Sequence, residues 1–341
     1  MENLDVKEVE RVFYTPEWHE KLLAFMVKEF PTRNIFYLDW WLKNLDKEEP
    51  GDWNKVLLLL FRAEIVGCTT AFFVKILNNN QEKKIFWEGN TIIVKEARGM
   101  GLSKILYGEI NRFNNRYTTG FTKIAWKIQP KIMDVFTELA PVRVYVSLNR
   151  FVINSIFRKL KLCKDNSTEN YPETFRLTEN ELFEKVKDIE RFDIPKDGYW
   201  MGENVELVRD KEFLKRRFVD IYRRKEYCLY AYFVKGKCEG YLVVRKTCIS
   251  EIKMLALVDF RCKYLEMEKR MMYAVVKLAR LNKIGAVITL TSRNYALISF
   301  QPLTIKMSKK LYTATGDPEM WEDTNILITS ADSDLDFVYY K

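Results

Sequence analysis

Two glycines lie between basic residues and follow a short apolar run at residues 92 to 104, which read IIVKEARGMGLSK. The apolar run predicts the end of a strand, and an amphipathic segment from Gly101 predicts a helix. The first N–H groups of a helix have no internal partners and carry the positive end of its dipole. Glycine lets a backbone approach a ligand closely and adopt a positive φ, and Arg98 and Lys104 add positive charge. This combination predicts a pyrophosphate-binding turn.

Two common nucleotide-binding loops do not match this turn. A Walker loop needs G-x-x-x-x-G-K-[ST], which the sequence does not contain. A dinucleotide fingerprint needs a third glycine where Lys104 stands. The glycine pair by itself is equally typical of a plain strand-to-helix turn. Whether this segment is a pyrophosphate-binding turn or a plain strand-to-helix turn therefore depends on the surrounding elements.

The first half of the chain predicts alternating helices and strands around the turn. Thr15 and Pro16 are typical of a helix start, and Pro130 is placed at the start of a later helix. The predicted elements are helices at 15–30 and 35–45, strands at 54–63, 64–77 and 84–94, a helix at 101–117, a strand at 121–129, a helix at 130–140, a strand at 142–148 and a helix at 149–162.

The second half repeats this order after a polar segment at 163–174. A helix at 178–192 is predicted from the capping-box pair Thr178 and Glu181, and Gly240 stands in a hairpin as Gly67 does in the first half. The further predicted elements are a helix at 210–222, a hairpin at 227–246, a strand at 250–260, a helix at 266–285, a strand at 286–292, a helix at 293–301 and strands at 304–315 and 323–331. We infer a remote duplication, with domains at 1–170 and 171–341.

In this context the turn from Arg98 to Ser103 resembles the acyl-CoA-binding motif of the GNAT acyltransferase superfamily, Arg/Gln-x-x-Gly-x-Gly/Ala. Arg98 and Gly101 match its anchors, and Ser103 replaces the last small residue. The resemblance implies an α/β (α+β) fold of two tandem GNAT-like domains, each with a mixed, mostly antiparallel sheet flanked by helices. It also implies that acetyl-CoA or another acyl-CoA is the cofactor. The implied binding residues are Ile92, Ile93, Val94, Arg98, Gly99, Met100, Gly101, Leu102, Ser103 and Lys104. In the family the strand pairs with the pantetheine arm, and the turn amides hold the pyrophosphate.

The same resemblance implies a general base and a leaving-group acid. Glu88 is the candidate base because the family often has a carboxylate on this strand or its neighbour; an ordinary polar strand position is the alternative reading. The usual acid is a tyrosine on the helix after the next strand, and element order places Phe136 there, with Gln129 at the customary asparagine that starts the helix. An alternative alignment reaches another phenylalanine, Phe157. The remaining substitutes, without positional support, are Tyr107 and Tyr145.

The corresponding turn of the second copy reads FRCKY and contains no glycine. Arg261 and Lys263 are present, but side chains at every position would crowd a pyrophosphate. We therefore expect the second copy to bind no CoA and to shape the acceptor cleft instead.

Composition narrows the partners. The 341 residues carry a net charge of +9, which allows an anionic ligand without requiring nucleic acid. The six cysteines form no C-x-x-C pair and predict buried thiols in a reducing cytoplasm. His19 is the only histidine and is read as a surface or packing residue, and the aspartates at 331–337 lack the glycine and glutamate of a calcium loop, so no metal site is predicted. No apolar run reaches membrane-spanning length.

The leading hypothesis is a cytoplasmic N-acyltransferase that uses acetyl-CoA and acylates an amine of a small molecule or an amino sugar. Neither a membrane nor a nucleic acid is expected as a partner, and a homodimer is compatible with this hypothesis. One alternative is a non-catalytic CoA-binding or interaction protein, which the phenylalanine at the tyrosine position favours. Another is a Fem-type aminoacyl transferase that uses tRNA, which the net charge of +9 fits.

Overall fold

The computed structural model describes residues 4–31, 33, 35–45, 56–78, 81–111, 115–119, 123–132, 136–139, 142–153, 171–192, 205–220, 226–249, 252–292, 304–311, 313–315, 321 and 326–332. Its helices are α1 His19–Glu29, α2 Ile35–Leu45, α3 Leu102–Ile110, α4 Lys123–Ile132, α5 Lys211–Leu214 and α6 Leu265–Leu281. Its strands are β1 Glu10–Phe13, β2 Val56–Phe61, β3 Glu64–Asn78, β4 Gln81–Ile93, β5 Arg116–Thr119, β6 Thr137–Glu138, β7 Val142–Leu148, β8 Thr174–Thr178, β9 Glu181–Lys185, β10 Val205–Leu207, β11 Tyr227–Val234, β12 Lys237–Ile249, β13 Ile252–Cys262, β14 Ala286–Thr291, β15 Thr304–Leu311, β16 Thr313–Thr315 and β17 Ile326–Leu327.

The chain forms two compact units. Unit 1 comprises Met1–Ile76, Glu82–Ala140 and Leu311–Asp323, and unit 2 comprises Leu77–Gln81, Pro141–Lys310 and Thr324–Lys341. The units differ from the predicted ranges because two strands find their pairing partners in the other half of the sequence. β7 pairs with β14, and β16 pairs with β5 and β6. The division at residue 170 stays a prediction about the duplication, and residues 154–170 lie outside the described part.

The sheet of unit 1 brings two parallel strands together at the predicted site. Its strands follow the order β1, β2, β3, β4, β5, β16, β6. β1 and β2 pair antiparallel, as do β2 and β3, whereas β4 and β5 run parallel. All six residues of β2 are buried, as its continuous apolar sequence predicts. The parallel pair places Glu88 of β4 beside Thr118 near the end of β5, with α3 between the two strands in sequence.

The sheet of unit 2 repeats this pattern. Its strands follow the order β15, β7, β14, β13, β12, β11, β9, β8, and β13 and β14 form a parallel pair. The apolar side of α6 packs against β13 and β14, and the core is completed by aromatic residues of β8, β9 and β11. Both sheets are therefore mixed and mostly antiparallel, as the sequence predicts.

The segment from 121 to 140 was predicted wrongly as a strand followed by a helix. Residues Lys123–Ile132 form the helix α4 instead. The strand of this region is β5, which lies before residue 121, and α3 ends at Ile110 rather than at 117. Pro130 lies inside α4. Buried Gln129 lies four residues after half-buried Ala125 and three before half-buried Ile132, which is helical spacing. A polar residue on the inward face concealed this period.

The predicted helix at 178–192 is also wrong, because β8 and β9 form a hairpin there. Phe183 stacks on Phe175 at 4.9 Å and on Tyr232 at 4.6 Å, between ring centroids. These contacts need the alternating side chains of a strand. The pair Thr178 and Glu181 is bonded at 2.8 Å, but across the hairpin turn and not as a helix cap.

The glycines of the two β-hairpins occupy crowded positions. A Cβ on Gly240 would lie 2.3 Å from the carbonyl oxygen of Arg261, and one on Gly67 would lie 3.2 Å from that of Ile92. Each glycine therefore lets one strand approach the strand that leads into the helix. The predicted match between these two positions is consistent with both contacts.

Gly240→Ala is expected to lower the free energy of unfolding by about 2–3 kcal/mol, because the new methyl group meets backbone. Urea denaturation measures this loss. Gly108→Ala is the control, since Gly108 is exposed on α3, and among the described residues no heavy atom lies within 4 Å of its Cβ position. There alanine should stabilise by about 0.5–1 kcal/mol. Equal effects at both sites would contradict the close approach at Gly240.

Candidate functional site

The glycine turn links β4 to α3 in unit 1. A short 3-10 turn at Lys95–Ala97 follows β4, and α3 begins at Leu102. Gly99 has φ +85° and Gly101 has φ +82°, so both need the left-handed conformation that glycine adopts easily. Gly101 is the N-cap of α3 and provides no side-chain cap. The first N–H groups of this helix therefore have no side-chain cap from Gly101.

The residues predicted to bind CoA line this segment, with different exposures. Arg98, Gly99, Met100, Gly101 and Lys104 are exposed, Ile92, Ile93 and Ser103 are half-buried, and Val94 and Leu102 are buried. The turn therefore presents one continuous exposed surface from Arg98 to Gly101.

Two backbone groups of the strand segment already have partners. The Val94 N–H donates to the Val66 carbonyl at 3.0 Å, and the Ile93 carbonyl accepts from Nε of Arg98 at 3.0 Å. The Arg98 side chain thus hydrogen-bonds the turn to the end of β4.

β4 and β5 stop pairing directly after the buried carboxylate of Glu88. The pairing of β4 with β5 ends at Glu88 opposite Thr118. Asn90 has φ +52°, a strained value for a non-glycine residue, and the Gly89 carbonyl accepts from the Thr70 hydroxyl at 2.6 Å. The regular pairing of β4 with β5 thus ends at Glu88, before the segment that leads to the turn.

Glu88 lies at the last pair of these two strands and is 1% exposed. The Thr118 hydroxyl donates to its Oε2 at 3.3 Å, and Nε2 of Gln129 lies 3.5 Å from its Oε1. Burial raises the pKa of Glu88 to about 7, although the positive charge of Arg116 and hydrogen bonds from Thr118 and Thr91 oppose the rise. A carboxyl group that titrates near neutral pH is suited to act as a general base.

Glu88 belongs to a buried polar cluster that sequence reasoning did not assemble. Nε2 of Gln129 donates to the Tyr107 hydroxyl at 3.1 Å, and hydrogen bonding by Thr91 opposes the rise in the pKa of both Glu88 and Tyr107. Burial and the charge of Glu88 raise the pKa of Tyr107, so the phenol stays protonated at neutral pH. The signal in the sequence that could have identified Gln129 is a polar residue at an inward-facing position of a helix.

The residues considered for the leaving-group acid fall in different places. Phe136 lies beyond the end of α4 and contacts Trp126 at 5.3 Å between ring centroids, and Gln129 lies inside α4 rather than at its start. Tyr145 is buried in the core of unit 2. Phe157 lies outside the described residues. Tyr107 belongs to the same polar cluster as Glu88.

Unit 2 has a different residue at the position of Glu88. The last pair of the parallel strands β13 and β14 is Leu257 opposite Thr289, just as Glu88 pairs with Thr118. The helix that follows has Glu266 in its first turn, where negative charge opposes an anionic ligand. Unit 2 thus has neither the carboxylate nor the glycine turn.

His19 joins three elements of unit 1. Its Nδ1 lies 2.8 Å from the Tyr14 hydroxyl, and its Nε2 lies 2.8 Å from Oδ1 of Asp39 on α2. Both ring nitrogens are thereby engaged. This geometry is consistent with the packing role that the sequence predicts.

Over the described residues, we find no helix that is long and apolar enough to cross a membrane.

Comparison with known proteins rests on structure, since no protein-family model and no curated protein sequence matches the chain. A conserved protein of unknown function from Enterococcus faecalis V583, described as a probable N-acyltransferase, is 11% identical, with 93% of this chain and 74% of that one covered and a TM-score of 0.59. A GCN5-related N-acetyltransferase from Anabaena variabilis ATCC 29413 is 12% identical, with 89% and 72% covered and a TM-score of 0.59. Saccharomyces cerevisiae N-myristoyltransferase with bound myristoyl-CoA is 13% identical, with 92% and 80% covered and a TM-score of 0.57.

At this identity the likeness shows the fold. The predicted tandem GNAT fold is confirmed, since single structures of this class cover about nine tenths of the chain and both units contain a matching sheet.

Proposed function

We propose that the chain is an acyl-CoA-dependent N-acyltransferase in which unit 1 binds the donor and supplies the base. Acetyl-CoA is the proposed donor, and an amine of a small molecule or amino sugar is the proposed acceptor. The observation that carries this proposal is the exposed turn with two left-handed glycines, which follows the strand that contains the buried Glu88. The fold shared with the acyltransferases described above supports it.

The turn fits a pyrophosphate by shape as well as by charge. Among the described residues no heavy atom lies within 4 Å of the Cβ positions of Gly99 and Gly101. A side chain at either glycine would occupy this space, whereas its absence leaves the backbone N–H groups accessible to an anion. The positive end of α3, Arg98 and Lys104 supply the favourable charge. Ile92, Ile93 and Val94 are proposed to lie along the pantetheine arm.

Glu88 is proposed to remove the proton from the acceptor amine. The donor supplies an activated acyl group as a thioester. As the amine nitrogen forms its bond to the carbonyl carbon, the C–S bond breaks and CoA leaves as a thiolate, which takes up a proton from solvent. The amine nitrogen must lose a proton, and a carboxylate can accept it. The raised pKa makes Glu88 a stronger base than an exposed glutamate.

A non-catalytic acyl-CoA binder is the second candidate. It is favoured by the position of Phe136 beyond the end of α4, which leaves the expected phenol of that helix missing. Release of free thiol from acetyl-CoA in the presence of a broad amine panel supports the enzyme. Binding without any thiol release supports the second candidate.

Isothermal titration with acetyl-CoA tests the donor site. Gly101→Asp is expected to weaken binding at least about tenfold, because the side chain enters the open space and its charge repels the pyrophosphate; tenfold corresponds to about 1.4 kcal/mol. Gly236→Asp is the matched control, since Gly236 also has φ +82° and an open Cβ position but lies in the hairpin turn of unit 2. No binding by the unaltered protein would refute the proposal.

A further inference from the structure

One amide nitrogen in unit 1 lies within hydrogen-bonding distance of both a carboxylate and a phenol. Nε2 of Gln129 lies 3.5 Å from Oε1 of Glu88 and 3.1 Å from the hydroxyl oxygen of Tyr107. The three residues come from α4, β4 and α3, and they are 2%, 1% and 5% exposed. Three separate elements therefore bring polar side chains to one buried point.

We propose that Gln129 and Tyr107 are positioning residues for Glu88, which set the orientation of its carboxylate through the shared amide nitrogen. A primary amide nitrogen has two N–H groups and can donate one to each neighbour. The proposal rests on the proposed function, in which Glu88 is the base.

The orientation of the Gln129 amide follows from its neighbours. Its Oε1 is buried and has no hydrogen-bond partner within the described residues. The reverse orientation would place this oxygen against the carboxylate oxygen of Glu88, and two acceptors without a proton between them repel each other. Nε2 therefore faces Glu88 and Tyr107.

The two oxygens of the carboxylate are held from different sides. Thr118 donates to Oε2, and Gln129 donates to Oε1. Such bonds leave a buried carboxylate with one preferred orientation, whereas an unpaired one would be costly. Arg116 on β5 adds a positive charge that acts on Glu88 and is itself held by Oδ1 of Asn111 at 2.8 Å.

Tyr107 holds the shared amide nitrogen at a distance from Glu88. Its hydroxyl oxygen accepts from Nε2 of Gln129 at 3.1 Å, whereas Nε2 lies 3.5 Å from Oε1 of Glu88. Removal of the phenol should let the amide nitrogen approach Glu88 and shorten this bond, which would stabilise the ionised carboxylate. Removal of the amide should have the opposite effect. A role in packing alone predicts no such pair of opposite changes.

The test follows the titration of Glu88 by NMR in protein with 13C-labelled glutamate, without any substrate, and Glu88→Gln assigns the signal. Gln129→Met, which roughly keeps the volume, should move the titration of Glu88 about one pH unit upward, since a hydrogen bond to a charged group is lost. Tyr107→Phe should move it downward. Tyr117→Phe removes a neighbouring phenol that stacks on Trp321, and it should leave the titration unchanged.

Kinetics then test the catalytic consequence. Both Gln129→Met and Tyr107→Phe should lower kcat at least about tenfold, which corresponds to about 1.4 kcal/mol, and leave the dissociation constant of acetyl-CoA unchanged. Shifts in the same direction, no shift, or an unaltered kcat would overturn the positioning role. If Gln129→Met does not fold, the downward shift in Tyr107→Phe still decides, because a packing role predicts none. Failure of acetyl-CoA to bind would refute the proposed function while the substrate-free titration still tests the cluster.

Discussion

Glu88→Gln is expected to lower kcat for acyl transfer by about 10²–10⁴-fold, the usual contribution of a general base. Glutamine keeps the size of the side chain and one of its two acceptor oxygens but cannot accept a proton at neutral pH. The dissociation constant of acetyl-CoA should stay the same, because Glu88 lies inside unit 1 and is separated along the chain from the exposed turn. Stopped assays of thiol release measure kcat, and calorimetry measures binding.

The pH dependence gives this prediction its second readout. Because burial raises the pKa of Glu88 to about 7, kcat/KM should increase with pH and level off above this value. Glu88→Gln should lack this limb. Glu96→Gln is the control, since Glu96 is exposed in the 3-10 turn after the same strand, and it should keep both rate and profile. A full rate in Glu88→Gln would exclude Glu88 as the base.

Stability measurements show whether Glu88→Gln is folded and give the sign of the linkage. The folded pKa of Glu88 lies above its ordinary value of 4.5. Its contribution to stability is therefore fully present below pH 4.5 and is lost as the pH rises through about 7. Glutamine has no such loss, so the stability of the variant relative to the unaltered protein should improve from pH 5 to pH 8 in urea denaturation.

The glycine turn was predictable from sequence because its cause is local. A positive φ requires glycine at Gly99 and Gly101, and the apolar run before it has the length of a strand. The hairpin of β11 and β12 was predictable for the same reason, since its turn contains Gly236 with φ +82°. In both cases the residues that determine the geometry lie next to one another in the chain.

The polar cluster was not predictable because it depends on contacts between distant elements. The amide of Gln129 bonds to Tyr107, which is 22 residues away in the chain, and to Glu88, which is 41 residues away. The identification of α4 failed at the same residue, because a buried glutamine interrupts an apolar period. A buried polar side chain contradicts the local pattern, and such contradictions are expected at functional sites.

Arg209→Met is expected to lower the free energy of unfolding by about 3–5 kcal/mol, the usual effect of removing one partner from a buried ion pair. Arg209 is fully buried in unit 2 and has its two nearest carboxylates in Asp259 and Asp332, with Glu206 farther away at 3.9 Å. Its Nε lies 3.1 Å from Oδ1 of Asp259, and its Nη2 lies 2.5 Å from Oδ2 of Asp332. Methionine fills much of the volume but leaves both carboxylates without their cation.

Neighbouring hydrogen bonds do not replace the charge of Arg209. Tyr241 donates to Asp259 at 2.9 Å, and Thr329 donates to it at 2.8 Å. These neutral donors orient the carboxylate but cannot cancel the repulsion between Asp259 and Asp332. Burial and Asp259 together raise the pKa of Asp332 to about 6 even with Arg209 present.

The loss caused by Arg209→Met should therefore depend on pH. Without Arg209 the folded pKa of Asp332 rises further above its ordinary 3.8, so the folded variant binds protons more readily than the unfolded chain. Its stability is then greatest at low pH and falls as the pH rises, and the difference from the unaltered protein should be larger at pH 8 than at pH 5. Urea denaturation at both pH values measures it.

Arg191→Met is the matched control for this prediction. Arg191 pairs with Asp188 at 3.3 Å, but its side chain is 88% exposed. An exposed pair contributes about 0–1 kcal/mol because water and salt screen it, so this variant should be nearly as stable as the unaltered protein at both pH values. If both variants lost a similar free energy of unfolding, the stabilisation by Arg209 would not come from its pairing with buried carboxylates.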